Sequence, residues 1–187
     1  MPAQKTDLDT IVSRAAELIR KQGYHKTSMA ELAEACGLLK GSLYHYFPSK
    51  EALAIAVMGR VRDYFEHEVF RWAYADELSP QERLDRMALE TERYFLRGEG
   101  GCLMANFALG TIDLVPEFGM IVKRYFQDWI DALSHVLRSK YSTDMARQKA
   151  EQAVAEIQGA ILLMRVFKDA EYFIRANRKI AADFRGA

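Results

Sequence analysis

At 187 residues, half of them hydrophobic, the chain is long enough to bury a substantial core, which excludes a disordered polypeptide. Twenty-six Lys and Arg balance twenty-six Asp and Glu, so any contact with a polyanion must come from a local patch rather than from net charge. Two cysteines, Cys36 and Cys102, show no CxxC or Cys/His spacing, which excludes a disulfide framework and a structural zinc. The first ten residues lack the apolar core of a signal peptide, and no apolar run approaches the ~20 residues that cross a bilayer, so a cytoplasmic chain without a membrane partner is expected.

Residues Asp7 to Gln22 place Leu8, Ile11, Val12, Ala15, Leu18 and Ile19 on one helical face, and the pattern stops at Gly23. Ser28 followed three residues later by Glu31 is a capping box, opening a short second helix to about Ala35 that Gly37 closes. A third helix, about Lys40 to Tyr46, ends before Pro48, and Ser49 caps a long fourth helix to about Trp72. Ser79-Pro80-Gln81-Glu82 repeats the start signal for a fifth helix to about Leu96. After the connection Arg97 to Gly101 come a sixth helix from Cys102 to about Leu114 and a seventh from Pro116 to about Ser139. An eighth from about Asp144 to Lys168 and a ninth from about Ala170 to Asp183 complete the chain. No segment alternates with β-branched enrichment and no hairpin signal occurs, so the fold class is all-α with about nine helices.

The eighth helix carries two apolar stripes. Ala150, Val154, Ile157, Ile161 and Met164 form one, and Ala153, Gly159, Ala160, Leu163 and Phe167 form the other. Two faces call for two partners, either the chain's own core and a second subunit or, equally, two sides of one core.

The stretch GLLKGSLYHYFPSK, Gly37 to Lys50, has the make-up of the turn and recognition helix of a DNA-binding helix-turn-helix. Small residues, Gly41 and Ser42, stand at the leading end where the backbone must approach DNA, and Tyr44, His45 and Lys50 follow with groups that reach phosphates. Residues 1 to 50 carry seven Lys and Arg against five Asp and Glu, a small local excess of positive charge.

Several linked elements fall in one order and spacing. These are Ala15-Ala16-Glu17-Leu18-Ile19 with Gly23-Tyr24, then Thr27-Ser28-Met29 with Leu32-Ala33, and then Gly37 with Lys40-Gly41. Leu43-Tyr44-His45-Tyr46-Phe47 and Ser49-Lys50-Glu51-Ala52-Leu53 follow. Together, over about residues 10 to 56, they resemble the DNA-binding domain of the TetR family of bacterial transcriptional regulators. The resemblance implies an N-terminal three-helix helix-turn-helix domain, residues 1–50, and a larger C-terminal helical domain, residues 51–187, for ligand binding and dimerisation. One departure stands out: the family often has Ser or Thr just before the Lys-Gly, whereas this chain has Leu39, so a DNA contact from position 39 is not expected.

The resemblance further implies that Lys40, Gly41, Ser42, Tyr44 and His45 face the groove or its walls, while Leu43 and Phe47 lock the helix to its neighbours. The chemistry of each side chain agrees, since Lys40 and Ser42 can meet phosphate or base edges and Tyr44 offers a rigid hydroxyl. Lys50, in the first turn of the fourth helix, and Thr27 and Ser28, opening the second, sit where positive helix ends favour an anion. Tyr46 and Phe47 read as core. By the same resemblance the partners are a double-stranded DNA operator, a second copy of the chain and an unknown small-molecule effector that moves the fourth helix. The dimer surface would hold Ala150, Val154, Ile157, Ile161, Met164 and Phe173. Phe65, Leu103, Met104, Phe107, Tyr125, Trp129 and Met164 are the apolar residues that could wall an effector cavity, although most such residues form ordinary core.

Cys102 follows two glycines at the start of a helix, a position that lowers a thiol pKa and suits an oxidant or electrophile sensor; a small buried Cys is the competing reading. Catalysis is not expected, because the four histidines form no HExxH, no GxSxG occurs, and RGEGG lacks the Lys-Ser/Thr of a phosphate loop. No cofactor or metal is implied. A small domain that binds protein instead of DNA remains the other alternative.

Overall fold

A computed structural model describes residues 7–98, 100–111 and 115–186. Among these residues there are nine α-helices and no strand. They are α1 (Leu8–Gln22), α2 (Met29–Ala35), α3 (Lys40–Tyr46), α4 (Lys50–Tyr64), α5 (Pro80–Leu96), α6 (Leu103–Thr111), α7 (Pro116–Leu137), α8 (Thr143–Phe167) and α9 (Glu171–Gly186). No helix among the described residues is long and apolar enough to cross a membrane.

Most boundaries follow from the caps. Asp7 accepts from the Thr10 N–H at 2.7 Å, and Ser28 with Glu31 and Ser79 with Glu82 close complete capping boxes at α2 and α5. Two expectations change. The sixth helix is described only to Thr111, so the continuation expected to Leu114 lies outside the described residues. The fourth helix does not run regularly to Trp72, because a π-helical turn, Phe65–Val69, and a 3-10 turn, Phe70–Tyr74, follow Tyr64. The buried positions Val57, Val61, Phe65 and Val69 are spaced by fours. Each such step overshoots a 3.6-residue turn by roughly 40°, and a wider turn keeps the late members on the buried face.

The chain divides into two compact units, one formed by Met1–Val61 with Leu103–Val122, the other by Arg62–Cys102 with Lys123–Ala187. In the first, α1 buries Ile11, Val12, Ala15 and Ile19 and packs on α2 and α6. Leu32, Leu43 and Leu53, each wholly buried, bring α2, α3 and α4 into the same core, and burying each contributes about 1.5–3 kcal/mol.

The second unit is built around aromatic rings packed edge-on and at a tilt. Phe65 meets Tyr94, Tyr125 and Trp129 at centroid distances of 4.9, 5.1 and 5.3 Å, and Phe95 meets Phe173 at 5.4 Å. The last helix, α9, packs against both α5 and α8. The side-chain amide of Asn177 donates to the Ala88 carbonyl at 2.7 Å, and Arg178 donates twice to the buried Glu92 carboxylate, both at 2.6 Å.

Candidate nucleic-acid interface

The turn that sets α3 begins at Gly37, whose φ of +68° is the left-handed conformation that glycine adopts without a Cβ penalty. The Leu38 N–H then donates to the Ala33 carbonyl at 2.8 Å, reversing the chain at the end of α2. Leu39 takes the N-cap position of α3 with extended backbone and no side-chain cap bond, a deficit of about 1 kcal/mol against a Ser or Thr cap.

Within α3 the side chains separate cleanly. Leu43 is wholly buried and Phe47 nearly so, anchoring the helix to α2 and to the unit's core. Lys40, Gly41, Tyr44 and His45 are exposed, and Ser42 is half-buried. A Cβ added at Gly41 would meet no atom within 4 Å, so the backbone there is open to a large partner. The structure therefore brings the five expected groove-facing residues onto one short helix, four of them exposed.

The supporting residues are arranged differently from the sequence expectation. Thr27 is buried, and its hydroxyl donates to the Gly23 carbonyl at 2.8 Å, so the phosphate contact expected of it is withdrawn. Ser28 is exposed, but its hydroxyl accepts from the Glu31 N–H and donates to the Glu31 carboxylate, which makes it a helix cap. Lys50 is half-buried, and its ammonium donates to the Tyr24 and Thr27 carbonyls, both at 3.2 Å, while lying 4.2 Å from the Tyr24 ring centre. Two of its three donors are thus spent on the chain itself. Tyr46, read as core, is instead partly exposed, because the buried side of this short helix is filled by Leu43 and Phe47.

Tyr24 is the residue that the sequence reading left without a role. Its ring packs against Phe107 and Phe118 at 5.4 Å each, and its hydroxyl donates to Glu51 at 3.0 Å. Burial, reinforced by the Glu51 carboxylate, pushes the phenol well above its ordinary pKa and keeps it a donor. Glu51, which accepts from its own backbone N–H and from Tyr24, is held below the usual carboxylate range. Next to Tyr24, His25 Nε2 donates to the Gly110 carbonyl of α6 at 2.6 Å. The loop between α1 and α2 thus ties the start of α4, and with it α3, to α6 and the first turns of α7. The signal was present in sequence as Gly23-Tyr24 and Ser49-Lys50-Glu51, but their pairing is a tertiary fact.

The residues expected to wall an effector cavity fall in both units. Leu103, Met104 and Phe107 belong to the first unit, whereas Phe65, Tyr125, Trp129 and Met164 belong to the second. All but the half-buried Met164 are buried in close packing. Among the described residues, three cavities that adjoin α9 are lined by none of the seven.

Of the six residues expected at the dimer surface, five turn inward and Met164 is half-buried. Ala150, Val154, Ile157, Ile161 and Phe173 are all buried within their own subunit, since α8 turns this face onto the chain's own core. The other side of the helix is the accessible one: Leu162, Leu163, Val166 and Phe167 are exposed, and Phe167 stacks on Tyr172 at 5.3 Å. Cys102 immediately precedes α6 as expected but is only 5% exposed, which favours the small buried Cys over an accessible sensor.

Comparison with known proteins agrees with this geometry. The model of bacterial regulatory proteins of the tetR family matches residues 11–57, and that of the C-terminal domain of LmrA/YxaF-like transcriptional regulators matches residues 80–179. The HTH-type transcriptional regulator YxaF of Bacillus subtilis (strain 168) is 25% identical over 173 residues, covering 90% of both chains. The HTH-type transcriptional repressor DhaR of Mycobacterium sp. (strain GP1) is 24% identical over 170 residues, 86% of this chain and 83% of that one. The crystal structure of a TetR transcriptional regulator from Legionella pneumophila superposes with a TM-score of 0.86 at 25% identity, covering 98% of this chain and 99% of that one. With an accessible recognition helix on a three-helix support, and family matches over both portions of the chain, the protein belongs to the TetR family of transcriptional regulators, joining a DNA-binding helix-turn-helix to a C-terminal regulatory domain.

Proposed function

We propose that the protein is a ligand-responsive repressor that binds a palindromic operator as a dimer and leaves it when a small molecule enters the C-terminal domain. The observation that carries this reading is the accessible face of α3, where Lys40, Gly41, Tyr44 and His45 are exposed above a buried Leu43. Residues 1–50 read the DNA, with Lys40, Gly41, Ser42, Tyr44 and His45 at the groove. Residues 51–187 hold the effector and the second subunit.

One helix reads only a few base pairs, so useful specificity needs a second copy about one DNA turn, ~34–36 Å, away. The accessible apolar face of α8, with Leu162, Leu163, Val166 and Phe167, supports pairing of two chains there. An apolar effector would displace part of the Phe65, Tyr125 and Trp129 packing. Repression, rather than activation, is supported by the relative DhaR, which is a repressor.

The test is selection of genomic fragments by the full-length protein, followed by affinity measurements over a salt series. Selective binding to a palindrome, with affinity falling steeply as salt rises, is the expected result, because phosphate contacts release counterions. Absence of both selectivity and salt dependence would sink the reading. Libraries of apolar small molecules are then screened for compounds that lower operator affinity.

A further inference from the structure

We propose that Leu39 reads a thymine methyl group in each half of the operator. The inference rests on α3 being the helix that enters the major groove, and it restores to the contact surface a residue that its departure from the family pattern had removed.

Three observations converge on this side chain. Leu39 is 81% exposed, more than any neighbour in the hydrophobic set of the first unit's reading face, where Tyr44 and Tyr46 are exposed by 43% and 37%. It occupies the N-cap of α3, where a Ser or Thr would satisfy a free N–H of the first turn, and it makes no cap bond. The folded chain therefore gains neither burial nor capping from a leucine here. It also stands at the leading end of the helix, beside the exposed Lys40 and the open backbone at Gly41.

The leading residues of a recognition helix are those that meet base edges. Among the groups presented in the major groove, the 5-methyl of thymine is the apolar one, and apolar side chains recognise it. A leucine at this position therefore has a partner of matching chemistry within the surface that α3 presents. Ser or Thr there would serve the helix and a phosphate; Leu39 serves neither and instead discriminates thymine from cytosine.

The experiment uses the full-length protein and a selected operator in which each thymine is replaced in turn by uracil, which keeps the pairing edge and lacks the methyl. One thymine per half-site is expected to be sensitive. Its replacement in one half-site weakens wild-type binding roughly fourfold, and in both half-sites roughly fifteenfold, the worth of one buried methyl and its square. In Leu39→Ala the same replacement has no further effect, which couples the residue to the methyl. Leu39→Ser gives an independent readout, because it supplies the missing cap: thermal stability rises while the sensitivity to replacing thymine by uracil is lost. The proposal is overturned if no thymine is coupled to Leu39, or if Leu39→Ala binds the unmodified operator as tightly as wild type. Failure to bind any DNA selectively would instead remove the reading of α3 on which it rests.

Discussion

Two residues at the reading face separate contact from support. Tyr44 is 43% exposed on α3, so Tyr44→Ala should leave stability within about 0.5 kcal/mol of wild type while weakening operator binding. Lys50 has two carbonyls and an aromatic face to lose, so Lys50→Met should destabilise the protein by about 1–2 kcal/mol, with loss of affinity following from the loosened α1–α2 loop. Thermal melts and operator titrations on both variants check this, and a Lys50→Met protein as stable as wild type would contradict the inward role. The cysteines give a second residue-scale outcome. Cys36 is 1% exposed, its thiol held above the ordinary pKa by burial, and Cys102 is 5% exposed. An aromatic disulfide reagent should therefore label both only on unfolding. Rapid labelling of native Cys102, lost in Cys102→Ser, would revive the oxidant-sensor reading.

At the scale of elements, the helix starts share one electrostatic device. Asp7 accepts from the Thr10 backbone, Glu31 from Ser28 and Glu82 from Ser79, and each carboxyl is held below its ordinary pKa by those bonds. Because the folded values are depressed, the stabilisation is complete above the unfolded value, 4.5 for the glutamates, and is lost as pH falls through the folded values. Melting temperature should thus be flat from about pH 7 to 5 and fall below about pH 4.5. Combining Glu31→Gln with Glu82→Gln, which keeps the capping geometry without the titration, should make that fall shallower. An unchanged acid profile would show that other carboxylates dominate. The same local chemistry explains why the starts of α2 and α5 were legible in sequence to the residue: Ser28, Ser79 and Pro80 act on their own first turn. The π turn at Phe65–Val69 was not legible, because its cause is which of Phe65, Val69 and Phe70 the surrounding helices bury. The reading face followed the same division. The positions on α3 could be named from local pattern, whereas Lys50 turns inward onto carbonyls contributed by the distant α1–α2 loop, and Thr27 turns onto the Gly23 carbonyl of that same loop.

At the scale of the whole molecule, sequence period revealed two apolar stripes on α8 but left open which one meets a partner, and the residues that the resemblance placed at the dimer surface are mostly buried in the single chain. Period reports that a face is apolar, and only packing decides which face the subunit's own core takes. Ile157 and Ile161 are buried, whereas Leu162, Leu163, Val166 and Phe167 are exposed, and these four form the face proposed for the intersubunit contact. A paired variant, Leu163→Glu with Val166→Glu, tests that assignment. In the separate subunit both positions are exposed, at 40% and 62%, so neither helix content nor melting of the monomer should suffer. In a dimer closed over this face each carboxylate would lose water without gaining a partner, at a cost of several kcal/mol, so dimerisation should weaken by a factor on the order of one hundred or more. Light scattering should then report a monomer at micromolar concentration. Operator binding should fall with it, and the slope of log affinity against log salt should drop to about half, as one recognition helix replaces two. Leu89→Glu, at an exposed position on α5, is the control that adds charge without touching the α8 face. If the double variant still scatters as a dimer, the pairing surface lies elsewhere. If it is monomeric yet keeps full affinity and salt slope, a single subunit is the reading unit and the palindrome is not required.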